Sequence, residues 1–161
     1  DVYKRQGYNQ LAWKLRQDSR VINMEKQNIR TVTAEQIGEL VDFISIDVAF
    51  ISLDKVLPVA TNLLKDTGSL VALIKPQFEA GKENVGKGGI VRDSEIHKEV
   101  LHRILHVAYD CGLYTHGLTF SPIKGMEGNI EFLGYFKKYE EGALTIDDTL
   151  IDTVVAEAHS L

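Results

Sequence analysis

Cysteine is nearly missing from this chain: Cys111 stands alone among 161 residues, with only three prolines and one tryptophan. A lone thiol excludes an intrachain disulfide and fits a reducing compartment, so a cytoplasmic location is expected. Long apolar runs are also missing. No window approaches the roughly 18 consecutive apolar residues of a bilayer span, and no signal-peptide pattern opens the chain, so no membrane partner is expected. Lysine and arginine are absent from residues 139–161, which hold six acids, whereas residues 1–30 hold seven Lys/Arg against three Asp/Glu. Nucleic-acid binding needs local basic surface more than a basic total. The net charge of −5 therefore permits an RNA partner at the basic third and keeps it from the acidic tail.

The chain is 44% hydrophobic and 25% charged, the composition of a soluble globular domain long enough to bury a core. Periodicity predicts a short helix over Tyr8–Asp18, a strand at Arg20–Glu25, a helix at Thr33–Leu40 and a buried strand at Val41–Asp47. A helix then runs from Ser52 to Leu64, and Lys65–Gly68 reads as its stop and a turn. Ser69–Lys75 is the next strand, Pro76–Arg92 a glycine-rich loop, and Ser94–Cys111 a long amphipathic helix ended by Gly112. Strands near Leu113–Phe120 and Asn129–Lys137 follow. Thr145 and Asp148 form a capping-box-like start to a final helix. This alternation implies a doubly wound α/β sheet with an antiparallel C-terminal edge.

Three charges interrupt apolar, strand-like runs: Asp47, Lys75 and Glu131. Ligands of open α/β sheets bind beyond the carboxyl ends of the strands, and charges near a core are costly unless paired. Together these residues point to a catalytic edge. Other patterns carry less. Gly81–Gly88 approaches a phosphate-binding P-loop, but Gly88 stands where the Ser or Thr that would hold Mg²⁺ belongs. Its lysines and Arg92 suit phosphate contact better, with a plain surface loop as the alternative. His102 and His106 are spaced i, i+4 without a third ligand motif, so no metal is expected.

Five segments carry a more specific signal: Gly7-Tyr-Asn-Gln-Leu-Ala-Trp-Lys-Leu-Arg, Ile46-Asp-Val-Ala-Phe-Ile-Ser-Leu, Ile74-Lys-Pro-Gln-Phe-Glu-Ala-Gly, Val85-Gly-Lys-Gly-Gly-Ile-Val-Arg-Asp, and Ser121-Pro-Ile-Lys-Gly followed by Gly128-Asn-Ile-Glu-Phe-Leu. On these the chain resembles the methyltransferase domain of the TlyA (hemolysin A) family, similar in fold to FtsJ-type RNA ribose methyltransferases. The resemblance covers residues 7–138. It implies a Rossmann-like class I sheet, here lacking its first strand, and 2′-O-methylation of ribosomal RNA on the ribosomal subunit, with S-adenosylmethionine as donor. The family's Lys-Asp-Lys-Glu set falls on Asp47, Lys75 and Glu131, its first lysine lying upstream of residue 1. Asp47 is an expected cofactor contact. From its place after the strand expected at Arg20–Glu25, Asn28 is expected to contact the cofactor's adenine through its amide, with a simple turn residue as the alternative. Lys82, Lys87 and Arg92 are the expected RNA contacts. Residues 1–6 match nothing in the family and read as an unrelated leader; residues 139–161 read as an acidic C-terminal helix. The resemblance also implies a glycine-rich turn after the first strand, holding the cofactor's methionine moiety; this turn is missing here, which implies a truncated domain that is inactive alone.

The chemistry leaves two roles open for Lys75. A neutral amine could accept the proton of an attacking ribose hydroxyl, provided burial or nearby positive charge lowers its pKa. A charged lysine would instead clamp a phosphate. A second functional class also stays open, a noncatalytic RNA-binding or hemolysin-type interaction module.

Overall fold

The computed structural model describes residues 11–161 and divides into two compact units, Asp1–Val32 and Thr33–Leu161. In the first, Trp13–Arg16 forms a one-turn helix (α1), and Ile29–Thr31 a 3-10 turn whose N-cap is Asn28. Residues 8–10 of the expected helix lie outside the described residues. The strand expected at Arg20–Glu25 is not formed. Arg20 instead clasps the Asp18 carboxylate, with Nε at 2.9 Å and Nη2 at 2.7 Å, and Val21 N donates to Asp18 O at 3.0 Å. That closes a turn and holds the Asp18 carboxyl below its ordinary pKa. Ile22 is 81% exposed, so the apolar residues that suggested a strand find no face to bury.

The second unit starts with a one-turn helix, Ala34–Ile37 (α2). Thr33 caps Gln36 N, and the Gln36 side chain accepts in return from Thr33 N. The elements that follow are β1 (Val41–Ile46), α3 (Leu53–Leu63), β2 (Leu64–Ile74), α4 (Pro76–Glu79), α5 (Ser94–Asp110), β3 (Tyr114–Phe120), β4 (Phe132–Lys137) and α6 (Asp148–His159). The strands form one mixed sheet in the order β1-β2-β4-β3. β1 runs parallel to β2, while β4 is antiparallel to both β2 and β3, which is the expected antiparallel edge.

Several boundaries differ from the sequence reading: the helix expected over Thr33–Leu40 is only Ala34–Ile37, the loop expected over Pro76–Arg92 begins with α4, and the strand expected at Asn129–Lys137 starts at Phe132. Two further differences have a visible cause. Lys65–Gly68 is not a turn but the first part of β2, where the ladder jumps from Val41↔Leu64 to Phe43↔Ser69. Lys65 and Lys138 hold the irregular stretch, the first through Asp42 at 2.9 Å and the second by donating to Leu64 O at 2.6 Å. The last helix is capped by Asp147, which accepts from Leu150 N at 2.9 Å, and not by Thr145, which is exposed. β1 is also less buried than its composition implies. Phe43 is 57% exposed, and β2 is its only ladder partner among the described residues.

The core lies between the sheet and a layer made by α3, α5 and α6. Alternate residues of β2 and β4 (Leu70, Ala72, Ile74, and Phe132, Gly134, Phe136) are buried, as period-two pleating requires. They meet helical stripes such as Leu53, Val56, Leu57 and Ala60 on α3, and Val100, Leu101, Ile104 and Leu105 on α5. Among the described residues, no helix is long and apolar enough to cross a membrane.

Glycine at position 134 is a packing requirement. A Cβ there would stand 2.5 Å from Phe136 Cζ, and the buried ring has nowhere to retreat. Gly134→Val is therefore expected to cost about 1–3 kcal/mol, read as a lower urea midpoint at unchanged slope.

One buried polar residue ties the helix layer together. His97 is fully buried on α5, with Nε2 3.0 Å from Val91 O and Nδ1 2.9 Å from His159 Nε2 on α6. The carbonyl requires a proton on Nε2, so a neutral ring leaves Nδ1 as acceptor for His159. Burial, and then His159, push the His97 pKa below its ordinary value. The unfolded chain therefore binds the proton more readily. The resulting stability is fully present above the unfolded histidine value of about 6.5 and declines as pH falls below it. Thermal midpoints followed from pH 7.5 to 5 are expected to fall, and His97→Gln to flatten that dependence.

Candidate active site

The sheet register gathers the three predicted charges at one edge. β1 and β2 are parallel, so their carboxyl ends lie at the same edge, and β4 begins where β2 ends, with Ile74 opposite Phe132 and Phe132 opposite Phe120. Asp47 follows the last residue of β1, Lys75 follows the last of β2, and Glu131 precedes the first of β4. One further step along the antiparallel register sets Lys75 opposite Glu131. Ser121 N donates to Glu131 O at 2.8 Å, carrying the β3–β4 pairing to the same point.

Lys75 Nζ and Asp47 Oδ1 form an ion pair at 2.6 Å. The lysine side chain is 15% exposed and the aspartate 72%, so an ammonium reaches up from the protein to a carboxylate at the surface. Pro76 explains the lysine's aim. The residue before a proline is held extended, and Lys75 has φ −111° and ψ 99° as the N-cap of α4, with the proline at the first helical position. Glu131 is buried, and its Oε1 accepts from Gln77 Nε2 at 2.9 Å. Gly125 packs against that carboxylate so closely that any Cβ there would collide with it.

Three residues of this edge were not singled out from the sequence. Gln77 holds Glu131, and its own Oε1 is buried without a partner among the described residues. Glu79 has a side chain 2% exposed and paired with Arg103 Nη2 at 2.7 Å. Asn129 is buried, accepting from Val91 N at 3.0 Å and donating to Gly89 O and Met126 O, both at 2.9 Å. It thereby stitches the glycine-rich loop to the loop that carries Glu131. The available signal was their place inside the Lys75 and Glu131 motifs; their spacing alone shows nothing.

The glycine-rich loop is folded upon itself. Gly86 N donates to Ile90 O at 2.9 Å, Asn84 Nδ2 donates to Ala80 O at 2.9 Å, and Lys82–Asn84 forms a 3-10 turn. Lys82, Lys87 and Arg92 are all exposed on it. Because Glu79 is buried against Arg103, only Glu83 opposes those three cations on the exposed loop. Asn28 belongs to the first unit, where its Oδ1 accepts from Arg30 N at 3.1 Å and caps the 3-10 turn. His102 and His106 each face an aspartate, at 3.2 and 3.4 Å, and no metal-binding cluster occurs among the described residues. Burial raises the Cys111 pKa, which suits an inert thiol.

A lysine paired with a carboxylate at a sheet edge can donate to, or take a proton from, an oxygen brought beside it. The largely exposed Asp47 carboxylate also suits a cationic ligand. Phe50, held at φ +62°, and Phe78 form a tilted ring pair 4.8 Å apart, three residues beyond Asp47 and Lys75 respectively.

Comparison with known proteins gives this edge a context. The model of the FtsJ-like methyltransferase family matches residues 5–138. The Bacillus subtilis protein YqxC is 49% identical over 95% of this chain and 56% of its own length. The 16S/23S rRNA (cytidine-2′-O)-methyltransferase TlyA of Mycobacterium tuberculosis is 39% identical over 86% of this chain and 52% of its own length. A solved Streptococcus thermophilus structure that carries the hemolysin name superposes with a TM-score of 0.89 at 49% identity, covering 96% of this chain and 56% of that one. The chain thus spans about half the length of the curated relatives it matches. A family model covering most of the residues, including all three edge charges, closes the assignment: this chain belongs to the FtsJ-like methyltransferase family.

Proposed function

We propose that this chain is the methyl-transfer part of an S-adenosylmethionine-dependent enzyme that methylates ribose 2′-hydroxyls of ribosomal RNA. The observation that supports it most is the 2.6 Å Lys75–Asp47 pair at the sheet edge, with Glu131 next in register, in a chain of this family. Bound S-adenosylmethionine would supply a methyl group on a sulfonium sulfur, and Asp47 is the residue suited to its positive charge.

The remaining roles belong to the chain itself. Lys75 contacts the ribose 2′-oxygen and, when neutral, accepts its proton as the new C–O bond forms and the methyl carbon's bond to the donor sulfur breaks. Asp47 orients the Lys75 ammonium before substrate arrives. Glu131, held by Gln77, shapes the opposite wall. Much of the acceleration in such an in-line displacement comes from alignment, so rigid support of three side chains matters more here than strong acid–base chemistry. Lys82, Lys87 and Arg92 meet RNA phosphates, where glycine-rich backbone permits close approach.

Lys75→Ala, made in a protein of the relatives' full length that carries this chain, is expected to lower methyl transfer by about 10²-fold or more. Cofactor affinity should change little. Equal loss of both in parallel filter-binding and tritium-transfer assays would assign Lys75 a structural role instead.

The phosphate reading makes a separate prediction. A Lys82→Ala, Lys87→Ala double variant is expected to weaken RNA binding and flatten its logarithmic salt dependence by up to about two units. An unchanged slope would remove these lysines from the interface.

A further inference from the structure

We infer that α4, the single turn directly after Lys75, is a two-armed bracket and that Glu79 and Gln77 are positioning residues for Lys75. This rests on the proposed role of Lys75. The two arms reach in opposite directions from one short element. Gln77 extends toward β4 and donates to Glu131 Oε1 at 2.9 Å. Glu79 extends toward the segment that leaves β1, where Ser52 Oγ donates to its Oε2 at 2.6 Å and Leu53 N donates to its Oε1 at 2.8 Å.

Those contacts bear directly on the Lys75–Asp47 pair. Asp47 and Ser52 lie on the same exit from β1, and Lys75 and Glu79 on the same exit from β2. The last ladder pair between the two strands is Ile46↔Ala72. Beyond it, the two exits are joined at their near ends by the ion pair at 2.6 Å and at their far ends by Glu79. Arg103 Nη2 anchors the bracket to α5 by donating to the Glu79 carboxylate at 2.7 Å and to Glu79 O at 2.8 Å. Within α4, Phe78 N donates to Lys75 O at 2.9 Å, linking bracket to lysine.

A buried carboxylate is retained at a cost unless all its partners are met, and Glu79 meets three donors from two other elements. Its isostere cannot. In Glu79→Gln the amide nitrogen replaces one acceptor oxygen. Ser52 Oγ can turn and accept from it, but the Arg103 guanidinium and the Leu53 amide have no acceptor lone pair to offer. Either amide orientation therefore strands a donor. The far join between the two exits loosens, and the near join is left as a surface-facing ion pair, which is weak alone.

The test reads the environment of Lys75 without turnover, so it is separate from failure of the enzymatic reading. The chain is treated with an acetylating reagent, and the rate at each lysine is followed by peptide mass spectrometry. Asp47→Asn calibrates the method, because removing the partner should raise the Lys75 rate. Glu79→Gln is expected to raise it by up to about fivefold, as loosening a surface-facing ion pair would. Lys98, paired with Glu95 and Asp152 at 2.9 Å each, should keep its rate. Ser52→Ala and Gln77→Ala, which leave the Glu79–Arg103 pair intact, should give smaller increases confined to Lys75, and they decide the matter if Glu79→Gln does not fold. Three results would overturn the inference: Lys75 unchanged while Asp47→Asn responds, Lys75 and Lys98 rising together, or Asp47→Asn itself without effect.

Discussion

The double pairing of β2 governs the rest of the molecule. This strand is parallel to β1 on one side and antiparallel to β4 on the other. Parallel pairing brings the two carboxyl ends to one edge, and antiparallel pairing brings the start of β4 there as well. With side-chain period two, a slip of one residue would turn Leu70, Ala72 and Ile74 out of the core. The helix layer that buries those residues thus also holds Lys75 at the height where it pairs with Asp47. Core packing and site geometry are the same constraint.

Around that edge, buried polar groups do what a larger core would otherwise do. Glu79, Asn129 and His97 are each buried, and each joins segments distant in sequence. Glu79 links the exits of β1 and β2 to α5. Asn129 links the two loops beside Glu131, and His97 links α5, α6 and the end of the glycine-rich loop. Each has partners for its charge or amide, and removing one partner strands the other in a low-dielectric interior. Loops secured this way can stay solvent-facing, as substrate access demands, while keeping a fixed course.

The match to the FtsJ-like methyltransferase family spans this edge. Asp47, Lys75 and Glu131 all lie within the matched residues. Relatives also carry the hemolysin name.

Much was legible in the sequence alone. Apolar runs and helical periods located α3, α5, α6 and the second half of β2 closely, because core burial imposes periods of 2 and 3.6 on the side chains. Charges inside apolar runs marked Asp47, Lys75 and Glu131 for the same reason: a charge near a core needs a purpose. Local signals failed where tertiary contacts outweighed them. Arg20–Glu25 looked like a strand, yet Arg20 turned back onto Asp18. Lys65–Gly68 looked like a turn, yet salt bridges and a carbonyl contact drew it into β2. Glu79 and Asn129 were invisible as anchors because their partners, Ser52, Arg103, Val91 and Gly89, lie 24 to 40 residues away. The sequence by itself determined which residues had to be buried and which charges had to be paired. Only the tertiary structure decided with whom, because pairing depends on strand register, and register is set by the packing of the whole sheet against its helices.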